Sequence, residues 1–335
     1  MNRYANAPSR RNMRRESSTL GSFALGTAVT LGAAAVVNYL IAREVERRHP
    51  PRGRFVNVGG VRLHYIDRGS GPIIVLLHGN GGMVEDFEIS GIVDRLERNH
   101  RVLLFDRPGF GHSTRPHGRF WSAKAQAELI RKALVRVGVD RAVIVGHSWG
   151  TLVALSLALD HPRQVAALVL LSGYYHPTAR ADVLPMSLAA IPVLGDIMRY
   201  TISPPLGWLI RRRVFRNLFA PSPVPARFAE EFPIGLSLRP SQLKASAADT
   251  ALMISDAARN ASRYGELSMP VTIVSGRDDQ IVDFARQAEQ LHDEIPHSRL
   301  EAIDAAGHMI HHSAPNRVAA AIEAAVRESE RLIAA

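Results

Sequence analysis

The chain contains no cysteine among its 335 residues. Structural disulfides, thiolate nucleophiles and zinc sites with cysteine ligands are therefore excluded, and the redox state of the compartment cannot be inferred. The apolar content of 46% is high enough for a large folded core, which excludes disorder throughout the chain. Any covalent catalysis must then use serine, histidine and carboxylate groups.

A basic face interleaved with aromatic residues is also lacking, although the formal net charge is +10. Seven of those ten charges belong to residues 1–54, and the rest of the chain has an ordinary charge balance. A basic tail beside a hydrophobic stretch fits a membrane surface better than DNA. We therefore expect no nucleic-acid partner.

No charged residue lies between Glu16 and Arg43. The apolar part of this stretch would measure about 35 Å as a helix at ~1.5 Å per residue, which is long enough to span a bilayer. A cleaved signal peptide is the alternative, but the apolar run continues well past its small residues. Arginines flank both ends, so the orientation stays open. The sequence predicts a basic tail over 1–19, a single-pass membrane anchor over 20–42 and a linker over 43–54.

Apolar, β-prone runs recur in the remainder of the chain, and helix-length stretches separate most of them. Unbroken apolar strands that alternate with helices predict an α/β fold with a mostly parallel sheet covered on both faces. One run alternates instead, as an outer antiparallel strand would. The runs are VRLHYI (the alternating one), IIVLLH, RVLLF, AVIVG, ALVLLS, VTIVSG and RLEAI.

The regular alternation fails over residues 176–265, which are rich in proline and arginine and contain helical patterns without a buried strand. We predict a helical cap or lid there, inserted into a core formed by 55–175 and 266–335. Within the lid, Arg211 to Arg213 could contact anionic headgroups, but the pattern favours a solvated helix face.

The segment GHSWG, Gly146 to Gly150, lies between an apolar strand pattern and a helix rich in leucine and alanine. A strand that enters a helix through so sharp a turn needs small neighbours, and the two glycines permit the close approach. The serine hydroxyl would then project at the carboxyl edge of the sheet. The pattern identifies Ser148 as a candidate nucleophile.

Two later strand patterns end in groups that could complete a catalytic triad. VTIVSG is followed by Asp278 and Asp279, and RLEAI is followed by His308. The order Ser, Asp, His is that of one known triad arrangement. His311 and His312, at i+3 and i+4 from His308, could share a helix face with it and form a metal site, but the sequence shows no second cluster of ligands nearby. Either aspartate could face the histidine.

An oxyanion hole is indicated by LLHGNGG, Leu76 to Gly82, directly after a strand pattern. Its glycines let the backbone turn so that the N–H of Asn80 can face inward and pair with the N–H of Trp149. Neither donor belongs to a side chain.

Taken together, five stretches resemble the α/β-hydrolase family: HGNGG, DRPGFGHS, GHSWG, SGRDDQIVD and AAGHMIHH. The resemblance covers the chain from Phe55 to the C-terminal helix. It implies Ser148 as nucleophile, Asp279 as acid, His308 as base, and the N–H groups of Asn80 and Trp149 as oxyanion donors. Asp279 is preferred over Asp278 because the acid of the family usually stands third after the strand-ending glycine. The residues expected to shape the loops are His78, Gly79, Asp106, Gly146, His147 and Gly150.

Differences between these motifs and those of related enzymes limit the reactions that the sequence predicts. HGN with a tryptophan after the nucleophile resembles the haloalkane dehalogenases, but their nucleophile is an aspartate, so Ser148 argues against dehalogenation and against epoxide opening. The sequence predicts instead hydrolysis of a hydrophobic carboxylic ester through an acyl-enzyme. Alternatives with the same triad are an amidase or aminopeptidase, a C–C bond hydrolase and an acyltransferase. A non-catalytic, membrane-tethered interaction protein is the alternative of another class. No cofactor or metal is implied.

Overall fold

A computed structural model describes residues 10–180 and 183–334 of the chain, with side chains described for 25–180 and 183–332. Part of the predicted basic tail, residues 1–9, therefore lies outside the described residues, as do residues 181–182 of the predicted lid. The described chain forms one eight-stranded sheet with helices on both faces. The predicted fold class is confirmed.

The strands follow the order β1-β2-β4-β3-β5-β6-β7-β8 across the sheet. β2 pairs antiparallel with β1 and with β4, and every later pair is parallel. The strands are β1 Arg54–Val58, β2 Val61–Arg68, β3 Ile73–Leu77, β4 Arg101–Phe105, β5 Ala142–His147, β6 Val165–Leu171, β7 Val271–Gly276 and β8 Arg299–Ile303.

The antiparallel edge differs from the sequence prediction in one respect. The alternating run VRLHYI forms β2, which is antiparallel as expected but is not the outer strand, because β1 pairs along its free side. The sequence analysis missed β1 because Arg54–Val58 is short and follows the expected linker. A tight turn through Gly59 and Gly60, both with positive φ, folds β1 back onto β2.

Fourteen α-helices complete the described chain. Before β6 these are α1 Arg10–Arg48, α2 Val84–Ile89, α3 Ile92–Leu96, α4 Ala123–Arg136 and α5 Gly150–Asp160. Between β6 and β7 they are α6 Val183–Ser187, α7 Leu194–Thr201, α8 Ser203–Phe219, α9 Ala226–Glu231, α10 Ile234–Ser237 and α11 Pro240–Ala261. The remainder are α12 Gln290–Glu294, α13 Ile310–Ser313 and α14 Pro315–Ala334.

Side chains along each central strand point alternately into two hydrophobic cores, one on each face of the sheet. In β3, Val75 and Leu77 join the core that packs against α4 and α5, whereas Ile74 and Leu76 join the core that packs against α3 and α14. Burial on both faces explains why these strands are apolar at every position.

Residues 176–265, called here the helical insertion, contain helices and no strand in their described part. The insertion follows β6 and returns to β7, two neighbouring parallel strands, so it begins near the carboxyl edge of the sheet. This is the edge at which functional groups collect in such folds.

Helix α1 extends further than the sequence predicted. It continues to Arg48, so the first six residues of the expected linker are helical. Ion pairs from Glu44 to Arg47 and Arg48, at 2.8 and 2.7 Å, stabilise this last turn, and Pro50 and Pro51 prevent continuation. Within the described residues, the segment Leu25–Arg48 contains an 18-residue window with a mean hydropathy of 1.7, which makes it long and apolar enough to cross a membrane, a property that signal sequences share.

Candidate active site

The turn between β5 and α5 places Ser148 in strained backbone. Its φ is +51°, in the left-handed region that a residue with a side chain rarely adopts. A Cβ on Gly146 would lie 2.7 Å from the carbonyl oxygen of Gly150, and a Cβ on Gly150 would lie 2.7 Å from that of His78. Both glycines are therefore required by close backbone contact. The turn leaves the Ser148 side chain half-buried at the carboxyl edge of the sheet.

Three side chains that are far apart in the sequence meet at this edge. His308 Nε2 lies 2.9 Å from the hydroxyl oxygen of Ser148, and His308 Nδ1 lies 2.8 Å from Asp279 Oδ2. The other carboxylate oxygen of Asp279 accepts the backbone N–H groups of Ile281 and Val282 at 2.8 and 3.0 Å. These contacts form a continuous hydrogen-bonded chain from a buried carboxylate to the serine hydroxyl.

The neighbouring aspartates make other contacts. Asp278 accepts the backbone N–H of Ala305 at 3.0 Å and so holds the loop that precedes His308. Asp283 accepts the N–H of Arg286 at 2.9 Å at a helix start, and Asp304 pairs with Arg277 at 3.1 Å on the surface. Of the two aspartates that the sequence left as candidates for the acid, Asp279 is the one that contacts the imidazole.

The backbone N–H groups of Asn80 and Trp149 donate no hydrogen bond to any described residue. A Cβ on Gly79 would lie 2.9 Å from the Ser148 Cβ, which shows how closely the loop after β3 approaches the turn formed by residues 146–150, called here the elbow. Two unpaired donors beside a half-buried hydroxyl can bind negative charge that develops on a carbonyl oxygen.

The side chains of Asn80 and Trp149 are committed to helix α11. The Asn80 amide donates to Thr250 Oγ1 at 2.9 Å and accepts the Ser246 hydroxyl at 2.6 Å. The Trp149 indole N–H donates to the carbonyl oxygen of Asp249 at 3.0 Å. Neither side-chain N–H is therefore available to a ligand in this structure.

Arg107 is a residue that the sequence analysis passed over, although it stands within the quoted DRPGFGHS. Its buried guanidinium donates to the carbonyl oxygens of His78 and Gly79 at 2.9 and 3.1 Å, and to Asp249 at 2.6 Å. It also lies against the Trp149 ring, 4.5 Å from the centroid. Arg107 thus fixes the Gly79 carbonyl, and because the C=O and N–H of a trans peptide point in opposite directions, the N–H of Asn80 points away from the guanidinium.

Asp106 and His78 are buried at the base of the same loops. Asp106 accepts the N–H groups of Val84 and His112, each at 2.9 Å, and contacts His64 Nδ1 at 2.7 Å. Burial and the charge of Arg107 lower the pKa of His78 to about 4. The neutral ring can then donate from Nδ1 to the Gly79 carbonyl at 2.7 Å and accept the Arg107 N–H at Nε2.

A cluster of two histidines and an aspartate lies next to His147, whose ring centroid is 4.3 Å from that of His311. Asp86 of α2 contacts His312 at 2.8 Å and His311 at 3.2 Å, so the structure supplies the acidic group that the sequence did not place beside these histidines. Burial would raise the pKa of Asp86, but the two imidazoles hold it well below its ordinary value. The three groups offer ligand atoms within 4.8 Å of one another and could hold a cation. Each oxygen of the Asp86 carboxylate already has an imidazole nitrogen within 3.2 Å, so the carboxylate has a partner at both oxygens without a cation.

His147, within the elbow, forms a contact from Nε2 to the carbonyl oxygen of His308 at 3.1 Å. Burial and the neighbouring imidazoles of His311 and His308 hold the pKa of His147 well below its ordinary value, so its ring is neutral. This contact joins the turn after β5 to the loop that carries His308.

A cavity of about 760 Å³ lies between α11 and the loop after β4, lined among others by His112, Trp121 and Lys244. None of Ser148, Asp279 and His308 lines it. The cavity is therefore separate from the triad.

The family to which the chain belongs follows from comparison with known proteins. The profile of the α/β-hydrolase fold matches residues 72–315, well over half of the chain. The chain belongs to the α/β-hydrolase fold family. The resemblance inferred from the five sequence stretches is thereby confirmed.

The individual relatives of the family differ in the reactions their names describe. Haloalkane dehalogenase 2 of Mycobacterium tuberculosis (strain ATCC 25618 / H37Rv) is 30% identical over 53% of this chain, and the match spans a little over half, 57%, of that relative's length. A putative carbamate hydrolase, RutD, of Cronobacter sakazakii is 29% identical, and the match spans 73% of this chain and 86% of that relative's length. The crystal structure of a bacterial membrane phospholipase A superposes on this chain with a TM-score of 0.63 at 21% sequence identity. The match spans 95% of this chain and 99% of the phospholipase chain, which shows a shared fold.

Replacement of Gly150 by alanine should disrupt the elbow. The new Cβ would meet the backbone carbonyls of Leu77 and His78, which cannot move without displacing β3, so we expect unfolding to be easier by about 1 to 3 kcal/mol or more. Gly265→Ala is the matched control, since a Cβ there meets nothing within 4 Å. Denaturant unfolding of both variants measures the difference. Equal stability of the two would contradict the close contact described here.

Proposed function

We propose that the chain is a membrane-anchored serine hydrolase that cleaves a carboxylic ester of a hydrophobic small molecule through an acyl-enzyme. The observation that carries this proposal is the hydrogen-bonded chain from Asp279 through His308 to Ser148, beside the two unpaired backbone N–H groups of Asn80 and Trp149. In this proposal, a carbonyl bound beside Ser148 meets a nucleophile, a base with its orienting acid, and two oxyanion donors.

In the proposed reaction, Ser148 Oγ attacks the ester carbonyl carbon while His308 Nε2 takes the hydroxyl proton. The carbonyl oxygen becomes an oxyanion that the N–H groups of Asn80 and Trp149 stabilise. When the intermediate collapses, the C–O bond to the alcohol breaks and His308 returns the proton to the leaving alcohol. Water then attacks the acyl-enzyme by the same steps and releases the acid. Asp279 holds the proton on Nδ1 and stabilises the imidazolium.

Dehalogenation is the reaction named for one relative, and the site argues against it. An alkyl halide needs a carboxylate nucleophile to form an ester intermediate, and this chain has a serine at that position. The side-chain N–H groups of Asn80 and Trp149, which could otherwise hold a halide, donate to helix α11. Acyl transfer to water uses only the backbone donors, which remain unpaired.

A hydrophobic substrate and a membrane location are supported by the composition of the insertion and by α1. Segments such as VLPMSLAAIPVLG contain no charge. Helix α1 includes a stretch that could span a bilayer, and the fold likeness to the membrane phospholipase A includes most of this helix, since it covers 95% of the chain. We infer that α1 is a single-pass anchor and that the insertion acts as a lid over the site.

An ester series tests the substrate class. We expect kcat/KM for p-nitrophenyl esters to rise about fourfold per added methylene until the acyl site is filled, because each buried methylene contributes about 0.8 kcal/mol. An ester with a charged acyl group, p-nitrophenyl hemisuccinate, should react at least about tenfold more slowly than the butyrate, because its carboxylate would be buried unpaired. Ser148→Ala is the control for non-enzymatic hydrolysis. A preference for the charged ester would contradict the proposal.

Paired variants test which aspartate is the acid. Asp279→Asn keeps the shape of the side chain but favours the wrong tautomer of His308, so kcat for p-nitrophenyl butyrate should fall by about 10⁴. Asp278→Asn can still accept the N–H of Ala305, so its kcat should stay within about threefold of the parent chain. The assignment fails if the larger loss appears in the Asp278 variant.

A further inference from the structure

The helical insertion exposes an unusually apolar surface, called here the insertion face. It is formed by α6, α7 and the segment between them, together with the first turns of α8. Leu184 is 75% exposed and Val193 is 71% exposed. Single exposed apolar side chains are ordinary, but a contiguous set marks an interaction site. The insertion face includes Leu184, Met186, Ile191, Val193, Leu194, Ile197, Tyr200, Ile202, Leu206 and Leu209.

The shape of this surface resembles a membrane element. Val183–Ala190 and Leu194–Thr201 bend by 94° relative to each other, and as a pair they are as apolar as a broken span or a re-entrant loop. A water-soluble lid that only covers a substrate would bury its apolar side chains against the core. Here they point away from it and remain exposed.

The insertion face is also continuous with the candidate span. The side-chain amide of Asn38, in the apolar part of α1, donates to the carbonyl oxygens of Tyr200 and Thr201 at 2.9 and 3.0 Å. Those carbonyls belong to the last turn of α7, where a helix leaves them unpaired. Asn38 thus has partners that a lone polar side chain in lipid would lack. Where α1 enters the bilayer, the end of α7 must lie beside it.

The position of Asn38 gives the depth of this contact. It precedes Arg43, the first charged residue after the apolar run of α1, by five residues, which is ~7.5 Å along a helix. If Arg43 lies at the headgroup level, α7 reaches the upper acyl region. Amphipathic helices that lie in the membrane interface are buried to a similar depth, about 5 to 10 Å.

The positive charge of α8 is complementary to the anionic headgroups of a bilayer surface. The helix contains four arginines and no acidic residue: Arg211, Arg212, Arg213 and Arg216. The Arg211 guanidinium stacks 4.2 Å from the ring centroid of Trp208, which is half exposed. Tryptophan and arginine are typical of the headgroup region, and a basic cluster attracts anionic lipids.

We propose that the insertion face is embedded in the headgroup and upper acyl region of the lipid bilayer beside α1. The arginines of α8 would then contact anionic headgroups. This inference rests on the membrane anchoring proposed above and adds a second membrane contact, made by the element that covers the site. It contrasts with the solvated face that the sequence alone favours for Arg211 to Arg213.

Because the natural chain has no cysteine, single introduced cysteines can report depth. The full-length protein is reconstituted in vesicles of phosphatidylcholine and phosphatidylglycerol that carry a doxyl-labelled lipid, and each cysteine is labelled with an environment-sensitive fluorophore. Leu184→Cys and Val193→Cys probe the insertion face. Val36→Cys probes the anchor, and Val135→Cys, half exposed on α4, is the water-facing control.

We expect the fluorescence at positions 184, 193 and 36 to be quenched at least about twofold by the doxyl lipid, and that at position 135 to be unchanged. Quenching at position 36 without quenching at 184 or 193 would overturn the inference and leave the anchor intact. A blue-shifted but unquenched signal at 184 or 193 would mean that protein, such as a second copy of the chain, covers the face, and would also overturn it. Absence of quenching at position 36 would contradict the proposal that α1 is a membrane anchor, and would overturn the inference with it.

Discussion

The arrangement of the candidate site depends on one buried cation, the guanidinium of Arg107. Burial lowers its pKa and the nearby carboxylate of Asp249 opposes that effect, so the charge is tolerable only while the ion pair is intact. The same group donates to two carbonyls of the loop after β3 and lies against the ring of Trp149. One side chain therefore joins the loop after β3, the elbow and helix α11 of the insertion.

The ion pair between Arg107 and Asp249 links the helical insertion to the candidate site. Helix α11 carries Asp249 at the elbow and begins beside Arg239, which pairs with Glu46 of α1 at 3.0 Å. Helix α7, in the same insertion, contacts α1 through Asn38. The elements that touch the candidate span and the groups that surround Ser148 thus belong to one packed unit. A membrane contact at α1 and α7 would position the site relative to the bilayer without any further domain.

Local patterns were sufficient to predict much of this structure. The parallel strands and the strand-turn-helix around Ser148 follow from hydrophobic runs and glycines that are close together in the chain. His308 follows from its place after a strand. The distinction between Asp278 and Asp279 needed the family resemblance, because adjacent residues in a loop have no pattern that separates them. Sequence alone also left β1 undetected.

The interactions that the sequence could not predict join residues far apart in the chain. Arg107 and Asp249 are separated by 142 positions, and Asp86 and His312 by 226. Such pairs depend on how the helices pack against the sheet, and no sequence periodicity predicts them. The insertion face is a related case, because the sequence shows apolar helices but not which of their side chains stay uncovered.

The most direct test of an activated serine is covalent labelling of the full-length protein in detergent with a fluorophosphonate, followed by intact-mass measurement and peptide mapping. The hydrogen-bonded chain described here predicts one adduct, on Ser148, that is lost in Ser148→Ala and strongly slowed in His308→Ala. No adduct on the folded parent protein, or an adduct that persists in Ser148→Ala, would contradict the assignment of Ser148 as the nucleophile.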